Sequence, residues 1–298
     1  MLQILLGAIS LGLLWAIMTI GVYITYRILD IADLTVEGSI AMGAAIAAFS
    51  IVSETNPFLA TFYAIIGGFL AGLVTGLLHT KLKIPALLSG ILTMIALYSV
   101  NLRIMGKANL SLLRMDTVYT VFEKMGMSST NAVMLFGFLS VSVIIAILYW
   151  FFGTEMGCAI RATGDNPQMA RAQGINTNNM ITLGLVLSNG LVALSGALIA
   201  QSQSFADVQM GIGSIVIGLA SVIIGEVIFG TRNFFNCLVS LVLGAITYRI
   251  IIALVLKLGM PANDLKLFTA ITVVIALSLP VFKKYLQPIK KSVKGGDL

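Results

Sequence analysis

Residues 2–26 form an unbroken apolar run with no charged side chain before Arg27. A helix crossing the hydrocarbon core of a bilayer needs about 20 apolar residues. Runs of this kind recur along the chain, near 34–52, 58–78, 86–104, 131–152, 179–201, 212–230, 234–256 and 266–282. Serial runs of that length are too apolar for the elements of a water-soluble core. The composition agrees: 58% of the 298 residues are hydrophobic and 10% are charged, whereas a soluble domain carries about a quarter charged residues. The expectation is an all-α polytopic membrane protein of about nine spans. No linker or shift in composition divides it, so 1–298 is expected to be a single transmembrane domain. No basic residue precedes the first run and no soluble domain follows it, so that run is expected to be the first span rather than a cleaved leader.

The polar residues exclude several functions. Two cysteines, Cys158 and Cys237, do not make a disulfide framework. With one histidine, His79, neither a histidine-based metal site nor Ser-His-Asp chemistry is expected, and no catalytic, cofactor or metal residue is assigned. The net charge of +6 resides in loops and the C-terminal tail. It therefore speaks for orientation in a membrane rather than for nucleic acid. Placing Lys283, Lys284, Lys290, Lys291 and Lys294 in the cytosol puts Arg27, Lys81, Lys83, Arg161, Arg171 and Arg232 there as well. Arg103, Lys107, Arg114, Lys124, Lys257 and Lys266 then lie outside. The N-terminus is expected outside and the C-terminus in the cytoplasm. Arg249 falls within a span, where snorkelling towards the outer headgroups is expected.

An internal repeat is present. Gly38-Ser39-Ile40-Ala41-Met42-Gly43-Ala44-Ala45 matches Gly213-Ser214-Ile215-Val216-Ile217-Gly218-Leu219-Ala220 at five of eight positions. In the topology above the two segments run in opposite directions, the inverted repeat common in transporters. Gly38 and Gly213 can break their helices and expose backbone groups to a solute path, and close packing serves as well. Gly38, Ser39, Gly213 and Ser214 are the candidates for such a path. Gly68, Gly72 and Gly76 recur every four residues and predict a groove for close helix packing.

The hydrophilic stretch between the fifth and sixth expected spans, 153–176, reads as two short helices. Thr154 can N-cap the first, and Gly164 can end it in a left-handed conformation. Asn166 can cap the second, with Pro167 at its first position and Gly174 past its end. Met156 and Ile160 share a helical face, with Glu155, Arg161, Asp165 and Arg171 around them. Punctuation alone fits a docking surface and an ordinary solvated loop equally.

The stretch Arg161-Ala-Thr-Gly-Asp-Asn-Pro-Gln-Met-Ala-Arg-Ala-Gln-Gly-Ile-Asn176 resembles the cytoplasmic coupling loop of ABC-importer permeases of the branched-chain amino acid and ribose type. Leu29-Asp-Ile-Ala-Asp-Leu-Thr-Val-Glu-Gly-Ser-Ile40 resembles their segment after the first span. Leu187-Ser-Asn-Gly-Leu-Val-Ala-Leu-Ser-Gly-Ala-Leu198, followed by Phe205-Ala-Asp-Val-Gln-Met-Gly-Ile-Gly213, is similar to the subgroup labelled tryptophan/tyrosine transport permeases. The resemblance implies a type II-like permease fold, a permease homodimer in a bacterial cell membrane, two cytosolic ABC ATPase subunits and an extracytoplasmic substrate-binding protein. It implies import of a small organic solute, an amino acid of the tryptophan or tyrosine kind. It also assigns contact with the ATPase to Glu155, Met156, Gly157, Ile160, Arg161, Gly164, Asp165, Asn166, Arg171 and Gly174.

The chain itself does not read as an ATPase. Its one Gly-Lys pair, Gly106-Lys107, lacks the upstream glycine and the following Ser or Thr of a phosphate-binding loop. ATP is expected on a partner, with no cofactor held here. Asp30, Asp33, Glu37 and Glu226 lie near span ends. Pairing with Arg27 or Arg232 is the structural reading, beside the functional one that intramembrane charges carry. A secondary transporter or channel would also use an inverted repeat, but it leaves the 153–176 segment unexplained. An intramembrane enzyme finds no paired polar motif within the spans.

Overall fold

The structure is a computed structural model that describes residues 2–257, together with Leu267, Ala270, Ile271, Val273, Val274 and Ser278. Its helices are α1 (Leu2–Tyr23, continued by a π-helical turn, Ile24–Ile28), α2 (Thr35–Val52), α3 (Pro57–Thr80), α4 (Ala86–Met105), α5 (Thr120–Lys124) and α6 (Ser129–Phe152). They continue as α7 (Glu155–Asp165), α8 (Pro167–Ala172), α9 (Thr177–Gln203), α10 (Ser214–Phe229) and α11 (Phe234–Lys257). Two short strands, β1 (Asn109–Ser111) and β2 (Phe205–Asp207), pair antiparallel with Leu110 opposite Ala206.

Among the described residues, seven helices are long and apolar enough to cross a membrane: α1, α2, α3, α4, α6, α9 and α11. The run expected at 212–230 is α10, whose 16 residues reach ~24 Å, short of the ~30 Å hydrocarbon core. Gly213 explains the late start. It adopts φ +82°, which breaks the helix before Ser214. The span expected at 266–282 lies outside the continuously described residues. Elsewhere the boundaries follow local chemistry. Asn56 accepts from Phe58 N at 2.9 Å, with Pro57 beginning α3. Gly106, at φ +67°, ends α4.

Helix α9 is the axis of the bundle. The α3 groove forms as expected from its spacing: β-carbons at Gly68 and Gly72 would strike the Asn189 and Leu185 carbonyl oxygens, and one at Gly76 would meet Thr182. Lacking side chains there, α3 lies backbone to backbone on α9, where packing rather than hydrophobic drive holds helices together in lipid. Rising residue number on α3 meets falling number on α9, so the two are antiparallel. Ser39 and Gly43 of α2 face Asn189 and Ala193, so α2 runs parallel to α9. Gly21 of α1 faces Ser188, and Ser195 Oγ donates to Leu14 O at 2.8 Å, so α1 runs the other way. Gly218 of α10 faces Val22, and Glu226 faces Arg27, which makes α10 parallel to α1. Helices α2 and α10 therefore point in opposite directions.

The two ends of the bundle differ. At one end the β1–β2 ribbon sits beside Tyr119, whose hydroxyl donates to Leu198 O at 2.9 Å, and Gln201, which joins Val118 N to Thr61 Oγ1. Burial pushes the Tyr119 phenol well above its ordinary range, so it stays a donor. At the other end α7 and α8 form a short hairpin between α6 and α9.

Candidate functional sites: the helix hairpin and a central polar network

Both caps of the hairpin are made as the sequence predicts. Thr154 Oγ1 accepts from Gly157 N at 3.4 Å. Asn166 Oδ1 accepts from Gln168 N at 3.1 Å and Met169 N at 3.0 Å. Gly174 closes α8 at φ +82°. Gly164 departs from expectation, because α7 runs past it to Asp165 and the turn falls on the extended Asn166, φ −150°. Gly164 is a contact point instead. A β-carbon there would strike the Ile28 carbonyl oxygen, and one at Gly157 would strike Phe151 O and Phe152 Cα.

Ile160 is a second correction. It is 0% exposed and belongs to the main core cluster, because the face it shares with Gly157 and Gly164 is turned into the bundle. Met156, four residues before it, is 48% exposed, and Met169 on α8 is 51% exposed. The apolar surface left open is thus Met156 with Met169. Arg161 does not pair with Asp165. Its Nη2 donates to Phe152 O at 2.8 Å, and its guanidinium lies 5.7 Å from the Phe234 ring centroid, which ties α7 to α6 and α11. Arg171 Nε donates to Thr177 Oγ1 at 2.7 Å, which ties α8 to the start of α9. Glu155, Asp165, Asn166 and Gly174 stay exposed. The hairpin is in direct contact with four helix ends.

Next to it, Arg27 Nε and Glu226 Oε1 form an ion pair at 3.2 Å. This is the pairing read for Glu226, and it joins the ends of α1 and α10. Arg249 does not snorkel. Its guanidinium lies 4.1 Å from the Trp15 ring centroid, inside the bundle, where a cation gains from the ring's quadrupole.

The second site is not signalled in the sequence by any paired polar motif within the spans. Asp33 is 2% exposed. Its Oδ1 accepts from Thr35 N at 2.9 Å and its Oδ2 from Asn189 Nδ2 at 2.8 Å. Asn189 Oδ1 accepts from Ser39 Oγ at 2.6 Å, and Thr35 and Thr75 hydroxyls lie 2.7 Å apart. Asp33 therefore pairs with an amide, not with an arginine. Asn189 is the thirteenth of the 27 residues of α9, so the network lies near mid-bundle. Residues 29–34 reach it by folding back from the end of α1. The one signal available was Asn189 within an apolar run, since a polar side chain there must find a partner.

Of the four path candidates, Gly38 lines a cavity, and Gly213 adjoins it through its neighbour Ile212. Ser39 is bound to Asn189, and Ser214 is fully buried. Glu37 Oε1 accepts from Gly213 N at 2.9 Å, so the N-terminal ends of α2 and α10 meet through one carboxylate. Beside this contact a cavity of about 470 Å³ opens between α2 and α4, lined by Glu37, Gly38, Tyr98, Ser99, Asn101 and Ile212 among others.

A helical membrane bundle with a capped, rigidly seated hairpin at one end and folded-back segments meeting at its centre is the architecture of a transporter's membrane subunit. The sequence profile of the branched-chain amino acid transport system permease component matches residues 4–277, and the chain belongs to that family. It is a permease component of an ABC-type transporter and a multi-pass membrane protein.

Among its relatives, the tyrosine transport system permease protein of Clostridioides difficile (strain R20291) is 43% identical over 274 residues, covering 92% of this chain and 90% of that one. The ribose import permease protein RbsC of Escherichia coli (strain K12) is 26% identical over 195 residues, covering 61% of this chain and 56% of the relative. Two solved structures share the fold. A metal-chelate type ABC transporter in an inward-facing conformation superposes with a TM-score of 0.52 at 13% identity, over 95% of this chain and 85% of the other. PsaBC from Streptococcus pneumoniae in complex with Fab gives 0.53 at 16%, over 95% and 93%.

Proposed function

We propose that this permease imports an amino acid, with tyrosine the first candidate, driven by ATP hydrolysis on two ABC ATPase subunits. In this reading it works as a homodimer, receives its solute from an extracytoplasmic binding protein, and places the α7–α8 hairpin and C-terminus in the cytoplasm with the N-terminus outside. Helices α2 and α10 are corresponding elements of an inverted repeat, and the solute passes close to Gly38 and Gly213. The observation that carries the coupling half of this reading is the seating of the hairpin. Gly157, Gly164, Arg161 and Arg171 fix it to the ends of α1, α6, α9 and α11. Motion imposed on the exposed Met156–Met169 surface is thereby passed to membrane helices instead of being absorbed in a loop. The solute half is supported by the tyrosine transport relative.

The test is uptake of radiolabelled L-tyrosine into vesicles carrying the permease with its ATPase and binding protein. Accumulation that requires ATP and all three components is expected. Accumulation by the permease alone, driven by a proton or sodium gradient, would replace this reading with a secondary transporter.

A further inference from the structure

We propose that the cavity between α2 and α4 is a cation-selective solute subsite that receives the primary ammonium group of the transported molecule. This rests on the amino-acid reading above and names the part of the solute this site recognises. The cavity holds about 470 Å³, within the range of small-molecule sites. Its polar wall carries two unfilled acceptors beside the Tyr98 and Ser99 hydroxyls. Glu37 gives Oε1 to Gly213 N, and its second carboxylate oxygen makes no hydrogen bond among the described residues. Asn101 is 1% exposed and donates through Nδ2 to Gly38 O at 3.3 Å, while its Oδ1 has no hydrogen-bond partner among the described residues. A buried acceptor without a donor is costly, and a ligand N–H group removes that cost.

Among the described residues no Lys, Arg or His lines the cavity, so its wall offers a carboxylate or phosphate no opposite charge. An ammonium is the small group that offers three donors and a charge opposite to Glu37. Tyr98 adds a phenol ring, which attracts a cation over its face, and Met94, Ile95 and Ile212 provide apolar wall for a side chain. The carboxylate end of an amino acid would remain towards the open mouth, away from Glu37. Position strengthens the case. Glu37 lies two residues from Ser39, which bonds Asn189 at the middle of α9. A carboxylate at that depth acts in a medium where charge–charge interactions are far stronger than in water.

The experiment uses the full permease in detergent, with Cys158 and Cys237 changed to Ser and Ser99→Cys as a reporter in the cavity. Reaction rates are compared for a cationic thiol reagent, methanethiosulfonate ethylammonium, and its anionic ethylsulfonate counterpart. The cationic reagent is expected to react faster by about tenfold or more after correction for intrinsic reactivity, a ~1.4 kcal/mol preference. Tyramine and L-tyrosine are expected to slow the reaction. Phloretate, the same phenol with a carboxylate and no amine, is not. Glu37→Gln keeps an acceptor for Gly213 N. It should erase the charge preference and weaken tyramine protection by about ten- to a hundredfold.

A Ser111→Cys reporter on the β1–β2 ribbon, labelled equally in both backgrounds, shows that Glu37→Gln has folded. Equal rates for the two reagents, protection by phloretate as strong as by tyramine, or protection unchanged in Glu37→Gln would each overturn the proposal. ATP-driven tyrosine uptake without tyramine protection rejects the subsite and leaves the importer reading standing. Glu37-dependent protection without such uptake does the reverse.

Discussion

Gly164 lies so close to Ile28 that a β-carbon on the glycine would run into the isoleucine's carbonyl oxygen. The hairpin and the end of the first span thus share a joint that only glycine allows. Gly164→Ala should cost about 1–3 kcal/mol, the usual range for overpacking, and Gly164→Val more. The α7 backbone at Gly164 is right-handed helix, so the penalty is steric contact and not strain in φ. Thermal unfolding in detergent measures it. Gly174→Ala is a contrasting case, with φ +82° and open space around it. Its cost should be ~1–2 kcal/mol from backbone conformation alone, without displacing α7 from α1.

Ile160 and Met156 sit one helical turn apart on opposite sides of the same boundary. Ile160→Asp buries a carboxylate in the main core, which costs several kcal/mol. It should fail to yield a monodisperse protein. Met156→Asp changes a residue that is 48% exposed and should purify as wild type does. Size-exclusion profiles of the two variants after identical expression make the comparison. Equal behaviour would contradict the burial assigned to Ile160.

Asp33 and Asn189 form the centre of a network that also holds Ser39 and Thr35. Asn189→Leu strips Asp33 Oδ2 and Ser39 Oγ of their partner at once. A loss of about 1–3 kcal/mol is expected for each buried group left unmatched. The exchange Asp33→Asn with Asn189→Asp keeps the contacts of position 189 with position 33 and with Ser39 matched, since the new amide donates to the new carboxylate and Ser39 Oγ still donates to position 189, while the Asn189 Nδ2 bond to Leu185 O is given up. It should recover much of the stability lost in either single variant, a non-additivity that a double-mutant cycle reads directly.

The β1–β2 ribbon and the α7–α8 hairpin lie at opposite ends of the bundle. Single cysteines at Ser111 and Gln168, both exposed, should therefore react with an impermeant reagent from opposite sides of intact cells. With the hairpin cytosolic, as proposed from the positive-inside bias, Ser111 should label from outside. Labelling of both from one side would reverse the topology.

Much of the hairpin was legible because its signals are local. Thr154, Asn166, Pro167 and Gly174 are read from sequence alone, and each cap or stop forms where the residue type demands it. The misreadings came from tertiary contact. Ile160 and Met156 have the same helical phase within one turn, and only the positions of α1 and α6 decide which is buried. Gly164 looked like a helix stop because glycine serves both as a left-handed terminator and as a point of close approach, and sequence does not separate the two. The central network was invisible for a related reason. Asp33 and Ser39, Thr75, and Asn189 come from three distant parts of the chain, and residues 29–34 fold back into the bundle to bring them together. Glu37 of the segment around Gly38 accepts from Gly213 N of the segment whose sequence it matches.

In the proposed function the α7–α8 hairpin couples ATP hydrolysis to movement of the membrane helices through its exposed methionines. The most direct measurement is substrate-stimulated ATPase activity, together with complex formation, in vesicles holding the permease, its ATPase and its binding protein. The test variant is Met156→Asp with Met169→Asp, which leaves the buried face of the hairpin untouched. The account expects a folded permease that has lost stable association with the ATPase, or that binds it while hydrolysis no longer responds to solute, with uptake falling by at least about tenfold. Wild-type association, stimulation and uptake in that variant would contradict it.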